Sequence, residues 1–156
     1  MRSFFEEEFK KHERALFLVA LSYLHDTEDA RDAVQEAAMA AFRSIGRLRQ
    51  PEYFRTWMTR IVINTSKNFL KKRRPTEELT DSLAVFTAVP TEELEIMDAI
   101  CRMDPALSIY ISLRFYNDMS YEEAAKALRQ SVSTVKYRTG RALRELKTLL
   151  EGDVSE

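Results

Sequence analysis

Apolar residues recur every three or four positions along most of this 156-residue chain, the spacing of helices that bury one side. Residues 3–24 read as a first helix, with Phe5, Phe9, His12, Leu16, Val19/Ala20 and Tyr23 on one face. The run "HDTED" (25–29) breaks it. Asp26 or Thr27 can cap a second helix, with Glu28 and Asp29 near its positive end. That helix reaches about Ile45, burying Ala33, Val34, Ala37, Ala41 and Phe42, and Gly46 ends it. Residues 47–52 form a loop, with Pro51 suited to the first turn of the next helix. The third helix is "FRTWMTRIVINTSKNFLKKRR" (54–74), which stops before Pro75. Its predicted inward stripe is Phe54, Trp57/Met58, Ile61, Thr65 and Phe69.

Residues 75–91 read as a flexible linker, bounded by Pro75 and Pro90 and carrying a weak apolar patch at Leu83–Phe86. Four more helices follow. One spans about 91–102, capped by Thr91. A second spans about 105–116, with Asp104 as cap and Pro105 at its first position. A third, short helix is capped by Ser120, and Glu123 completes a capping box. Its inward residues are Tyr121, Ala124, Ala125 and Leu128. The last runs from near Ser131 to about Leu150 and buries Val132, Val135, Thr139, Ala142, Leu146 and Leu149. The predicted fold is all-α, with two small helical domains (1–74 and 92–150) joined by the linker 75–91. Only three Gly and four Pro argue against a turn-rich β architecture.

The net charge of −1 conceals strong segregation. Residues 53–74 carry seven bases and no acid, residues 75–98 seven acids and no base, and residues 126–147 seven bases with Glu145 as the one acid. Such blocks inform about partners more than the net value does. Cys101 is the single cysteine; it cannot form an internal disulfide and reads as a small buried hydrophobe suited to a reducing cytosol. Glu6, Glu7 and Glu8 interrupt any signal peptide, and no apolar run approaches the ~20 residues of a membrane span. The expected location is therefore cytoplasmic. Two His, one Cys and no phosphate loop or metal spacing argue against an enzyme, a cofactor, a metal site or a small-molecule substrate. His12 and His25 read as packing or capping groups.

The short helix, tight turn and long basic helix at 120–148 make a helix-turn-helix. Its outward face holds Ser133, Thr134, Lys136, Tyr137, Gly140, Arg141 and Arg144, groups that can meet guanine edges and phosphates in a major groove. Arg129 and Gln130 occupy the turn where a Gly is usual, so one of them must accept a left-handed conformation. On helix three, Trp57, Arg60, Asn64, Lys67/Asn68 and Lys71 form a stripe beside the apolar one. Asn pairs with base edges, Lys and Arg with phosphates, and a Trp at the edge stacks on an unpaired base. A solvated surface or a membrane-facing helix remain open alternatives there. Helix two has an exposed strip of Asp32, Gln35, Glu36, Met39 and Arg43, which is either solvated or docked on a protein groove bearing Arg.

Three segments in order, "DTEDARDAVQEAAMAAF" (26–42), "FRTWMTRIVINTSKNFLKKRR" and "MSYEEAAKALRQSVSTVKYRTGRALREL" (119–146), resemble the two characteristic regions of the extracytoplasmic-function sigma factors of the sigma-70 family. The resemblance implies a three-helix region 2 over 1–74 and a four-helix region 4 over 92–150. It implies that Asp32, Gln35 and Glu36, with Met39 and Arg43 on the same strip, dock on core RNA polymerase. Arg47, Arg49, Trp57, Arg60, Asn64, Lys67, Asn68 and Lys71 would melt and read the −10 element. Ser133, Thr134, Lys136, Tyr137, Gly140, Arg141 and Arg144 would read the −35 element of promoter DNA. It also implies an anti-sigma factor, often membrane-anchored. The rival reading, from residues 120–148 alone, is a free-standing helix-turn-helix transcriptional regulator.

Overall fold

The computed structural model describes residues 2–73 and 91–154. The described residues form helices α1 (Arg2–Leu24), α2 (Thr27–Arg43), α3 (Phe54–Lys72), α4 (Thr91–Arg102), α5 (Ser108–Ile111), α6 (Tyr121–Leu128) and α7 (Val132–Val154). The predicted linker, including Leu83–Phe86, lies outside them apart from Thr91, the first residue of α4.

Helices α1, α2 and α3 pack on one another as a three-helix bundle. Asp26 caps α2 as expected, its Oδ1 accepting from Asp29 N at 2.9 Å. The end of α2 differs from expectation. It stops at Arg43, where Ser44 N donates to both the Ala40 and Ala41 carbonyls. Gly46 then lies in a tight 3₁₀ turn without a positive φ, so it is not the cap. Phe42, expected inside, is 43% exposed. Its ring meets the edge of Phe5 at 5.5 Å near the N-terminal end of α1, which covers only part of it. On α3 the buried line is Phe54, Met58, Val62 and Ser66 with Thr59 and Ile63. Of the stripe read from sequence, Phe54 and Met58 are on this buried line, while Trp57, Ile61, Thr65 and Phe69 are half-buried at its border. The pattern hid this because Thr59 and Ser66 look polar. Thr59 satisfies its hydroxyl on its own helix, at the Arg55 carbonyl, and small side chains let neighbouring helices approach closely.

The second half differs most around Pro105. The stretch 105–107 is a turn begun by Asp104, whose Oδ1 accepts from Ala106 N at 2.9 Å. Regular helix lasts only through α5 and then widens into a π-turn, Ser112–Tyr116. Asn117 closes that turn: its backbone N and its Nδ2 both donate to the Ser112 carbonyl, at 3.0 and 2.8 Å. Cys101 is half-buried rather than buried.

The two halves share one continuous core. Residues 16–24 of α1, "LFLVALSYL", have no wet side, and a helix apolar all round must be covered all round. Helices α2 and α3 cover one flank; α4, α5 and the π-turn cover the other. Between α1 and the latter runs a buried polar seam. The Ser22 and Ser112 hydroxyls touch each other and reach the Leu18 carbonyl at 2.7 and 3.1 Å. Ser108 Oγ donates to the Ser22 carbonyl at 2.7 Å. Having spent its proton there, it accepts from His25 Nε2 at 3.1 Å. Asn117 Nδ2 also reaches the Ala15 carbonyl at 3.2 Å. His25 ends α1 in a left-handed conformation, with φ of 50°.

Burial pushes the His25 imidazole pKa below its ordinary value, against the opposing influence of the Ser22 carbonyl; Arg73 lowers it further and Asp104 raises it. His12 is also lowered, chiefly by burial. A depressed histidine favours the neutral ring in the folded state. Its contribution is complete above the unfolded pKa of about 6.5, and is lost as pH falls below that value toward the folded pKa. The midpoint of thermal unfolding should therefore fall between pH 7.5 and 5.5. His25→Asn, which tolerates the left-handed backbone, should show a shallower fall by circular dichroism, His12 accounting for the remainder.

Candidate nucleic-acid and protein-docking surfaces

The helix-turn-helix is built as its sequence demands. Ser120 Oγ accepts from Glu123 N at 3.1 Å, and Glu123 Oε1 accepts from Ser120 N at 3.1 Å, a reciprocal capping box on α6. Holding the Ser120 N–H keeps the Glu123 carboxyl below its usual pKa; partial burial opposes this and Arg55 assists it. Arg129 takes the left-handed position in the turn (φ 57°, ψ 46°), and the next amide, Gln130 N, closes on Ala125 O at 3.0 Å. Gln130 is itself fixed: Tyr110 Oη donates to its Oε1 at 2.7 Å and accepts from Arg138 Nη1 at 3.1 Å. The far end of α7 is tied by Glu145, whose Oε1 accepts from Asp104 N at 2.7 Å.

On α7, Val135, Thr139 and Ala142 are buried, while Val132, Leu146 and Leu149 are half-buried. Ser133, Lys136, Tyr137, Arg141 and Arg144 are exposed, Tyr137 to 64%, with Thr134 and Gly140 half-exposed beside them. All seven predicted residues thus lie on one accessible face. Ser131 caps the helix, its Oγ accepting from Thr134 N at 3.2 Å. A Cβ placed on Gly140 would meet nothing nearer than Arg144 Nη1 at 3.7 Å, so this position is open space on the surface. One residue absent from the predicted site contributes: the Tyr121 ring has two cations near it, Arg114 at 4.3 Å and Lys136 at 5.6 Å from its centroid, cation–π contacts that link the π-turn and α7 to α6. Its inward-facing pattern concealed this role.

On α3, Asn64, Lys67, Asn68 and Lys71 are exposed, and Arg60 is half-exposed in the same row. Trp57 sits half-buried at the border, its ring 5.9 Å from Phe54. Phe54 in turn meets Phe4 and Phe5 edge-on at 5.9 and 5.7 Å, giving the indole an aromatic shelf. Arg47 and Arg49 are exposed on the loop before α3. On α2, Asp32, Gln35, Glu36, Met39 and Arg43 are all exposed, Met39 to 60%. A groove of about 1080 Å³ lies beside this strip, with Phe17, Val34, Ile96 and Met97 on its floor and Lys10, Lys11 and Gln35 among its rim residues. Among the described residues no group of His, Cys, Asp and Glu could hold a metal, and no described helix is long and apolar enough to cross a membrane.

Two family descriptions match: Sigma-70 region 2 over residues 9–76, and Sigma-70, region 4 over residues 93–146. The chain is 31% identical to the ECF RNA polymerase sigma factor SigM of Mycobacterium tuberculosis, covering 94% of this chain and 76% of that protein. The chain is an extracytoplasmic-function member of the sigma-70 family. This sigma factor is also 29% identical to the RNA polymerase sigma factor SigV of Bacillus subtilis, over 89% of the chain and 86% of that protein. In fold it is similar to the sigma factor RpoE of Bartonella quintana, solved in complex with the anti-sigma factor NepR. That likeness has a TM-score of 0.76 at 24% identity, over 94% of this chain and 96% of the other. The region 2 match takes in the basic α3 strip, and the region 4 match takes in the basic helix-turn-helix.

The turn at Arg129 offers a test of the local geometry. Arg129→Gly should stabilise the sigma factor by about 0.5–1 kcal/mol, because Gly enters the left-handed region without a Cβ clash. Arg129→Val should destabilise it by at least as much; urea unfolding of both variants checks the pair.

Proposed function

We propose that three surfaces of this sigma factor divide the work of promoter-specific transcription initiation. The α2 strip of Asp32, Gln35, Glu36, Met39 and Arg43 docks on core RNA polymerase, presenting carboxylates and an amide to a basic groove. Trp57, Arg60, Asn64, Lys67, Asn68 and Lys71, with Arg47 and Arg49 in the loop ahead, engage the −10 element as it melts. The phosphate-facing cations steer and hold the single strand, and Trp57 on its aromatic shelf offers a flat face to an unstacked base. Ser133, Thr134, Lys136, Tyr137, Gly140, Arg141 and Arg144 enter the major groove of the −35 element. By this division residues 1–74 carry polymerase docking and −10 recognition, and residues 92–150 carry −35 recognition. The protein works by binding, with no covalent chemistry. Contacts to the unpaired strand offset a few kcal/mol for each flipped base.

The observation that carries this reading is the coexistence, in one chain, of an accessible Asn-Lys row on α3, bordered by the half-buried Trp57 and half-exposed Arg60, and an accessible basic face on α7. A free-standing helix-turn-helix regulator would need only the second. The working location is the cytoplasm, and the regulator is an anti-sigma factor, membrane-anchored or free. The relative from Bartonella quintana was solved with such a partner. The groove beside Gln35 suits a segment with apolar side chains for its floor and acids for Lys10 and Lys11, and a segment seated there would crowd the polymerase-docking strip.

Purified protein with core polymerase should give a promoter-dependent transcript from a cognate template; a protein that binds duplex tightly and specifically without polymerase, and gives no transcript with it, would be the regulator instead. Arg141→Ala should weaken −35 recognition by about 1–3 kcal/mol if it meets a base; equal loss on scrambled DNA would make it a phosphate contact. Asp32→Ala with Glu36→Ala should reduce capture of core polymerase in pull-down while the thermal transition stays within a few degrees of wild type.

A further inference from the structure

Arg138 is exposed and stands between the cations Lys136 and Arg141 in sequence, yet one of its nitrogens turns inward. Its Nη1 donates to Tyr110 Oη at 3.1 Å, and Tyr110 is 2% exposed. The same hydroxyl spends its own proton on Gln130 Oε1 at 2.7 Å. Gln130 lies in the turn, between the left-handed Arg129 and Ser131, the cap of α7. One buried oxygen on α5 therefore ties together the turn and the helix that follows it. A hydroxyl can fill both roles because it carries one donor and two acceptor lone pairs.

The first half of α7 needs such a tie. Its buried line, Val135, Thr139 and Ala142, is narrow and has no large side chain. Thr139 spends its hydroxyl on its own helix, at the Val135 carbonyl. Such a line holds the helix down but resists a roll about the helix axis only weakly, because nothing bulky keys into the layer beneath. At 3.6 residues per turn, Arg138 and Glu145 fall on one side of the line and Lys136 on the other. Each is tethered: Arg138 to Tyr110, Glu145 to the Asp104 N–H at 2.7 Å, and Lys136 over the Tyr121 ring at 5.6 Å. Struts on both flanks fix the roll, and the Arg138 strut alone shares its anchor with the turn. Roll matters more to some contacts than to others. A side-chain tip about 6 Å from the axis moves roughly 1 Å when the helix turns by about 10°. The useful range of an N–H···O separation spans only about 0.5 Å, so hydrogen bonds to base edges fail first. Attraction between a cation and a phosphate falls off slowly with distance and survives the shift.

We propose that Tyr110 and Arg138 are positioning residues for −35 recognition. They hold α7 at the roll its base contacts need and touch no base themselves. Arg138 acts through Tyr110 and is not an eighth member of the DNA-facing set. The proposal rests on the assignment of α7 to the −35 element set out above.

Transcription by the full chain with core polymerase, from a promoter library whose −35 window is randomised above a fixed cognate −10 element, tests this. Transcripts are counted by sequencing, and preference is the ratio of the best windows to the median window. Tyr110→Phe removes the oxygen and keeps the ring. It should lower the ratio by about tenfold, the discrimination that one base contact supplies, while output from median windows holds. Arg138→Ala should do the same. Arg138→Lys should keep most of the preference, because its ammonium can still donate to Tyr110 Oη. Tyr110→Phe with Arg138→Ala should be no worse than either alone, as expected of two groups acting through one bond. Equal loss at every window with the ratio intact would overturn the proposal and leave the pair a merely structural role. Additive losses, with Arg138→Ala reducing the salt slope of promoter binding by about 1, would also overturn it and make Arg138 a phosphate contact. A wild-type protein with no −35 preference would overturn the assignment of α7 and the proposal with it; a preference that the variants leave intact would overturn the proposal alone.

Discussion

The nine residues from Leu16 to Leu24 leave α1 no side to turn toward water, and most of the architecture follows from that. Leu16, Val19, Ala20, Leu21 and Leu24 are each fully buried, more than one layer of neighbours can cover. Helices α2 and α3 close one flank, and among the described residues α4, α5 and the π-turn cover the other. The helix that belongs to the first half by sequence is thus the central helix of the whole. Covering it with a second half raises a problem of its own, because Ser22 falls inside the covered face. A buried hydroxyl needs a partner, and Ser112, Ser108, His25 and Asn117 are placed so that the hydroxyls and carbonyls meet one another.

Much of this was legible in the residues. The helix-turn-helix, its capping box and the need for a left-handed turn residue all follow from Ser120, Glu123 and the absence of a Gly at 129–130, and the structure has Arg129 in that conformation. The common accessible face of the seven residues on α7 follows from one buried line, Val135–Thr139–Ala142. Other features were not legible because they arise between segments distant in sequence. The run 16–24 signals burial on every side but names no cover, and a Ser at position 22 looks like a break in an apolar pattern until Ser112 stands opposite. The π-turn depends on Asn117 folding back on Ser112, which no local period encodes. The true inner line of α3 was displaced by Thr59 and Ser66, since a binary pattern assigns both to water.

The charge blocks sort with this geometry. Bases concentrate on the exposed sides of α3 and α7, while the described contacts between the halves are carried mostly by neutral groups, Arg55–Glu123 being the charged exception. Exposed ion pairs contribute little and weaken with salt, so the cations are left largely to the surrounding solution and to polyanions in it. The same separation explains how one small chain presents two basic faces near each other without large self-repulsion: the acids of α2 and of residues 75–98 hold the net charge at −1.

Gly140 has an evolutionary consequence. A glycine inside a helix costs about 1 kcal/mol relative to alanine, and here no tight packing or positive φ requires it. It is an unfilled position in the middle of the accessible basic face of α7 proposed to read DNA, bordered by Tyr137, Arg141 and Arg144. A single-codon change can place Ala, Ser, Arg or Asp there without disturbing the core, and each would present a different group to the groove. If the α7 face reads the −35 element as proposed, gene duplicates of this protein could diverge in the promoters they serve by one substitution, with the rest of the fold unchanged.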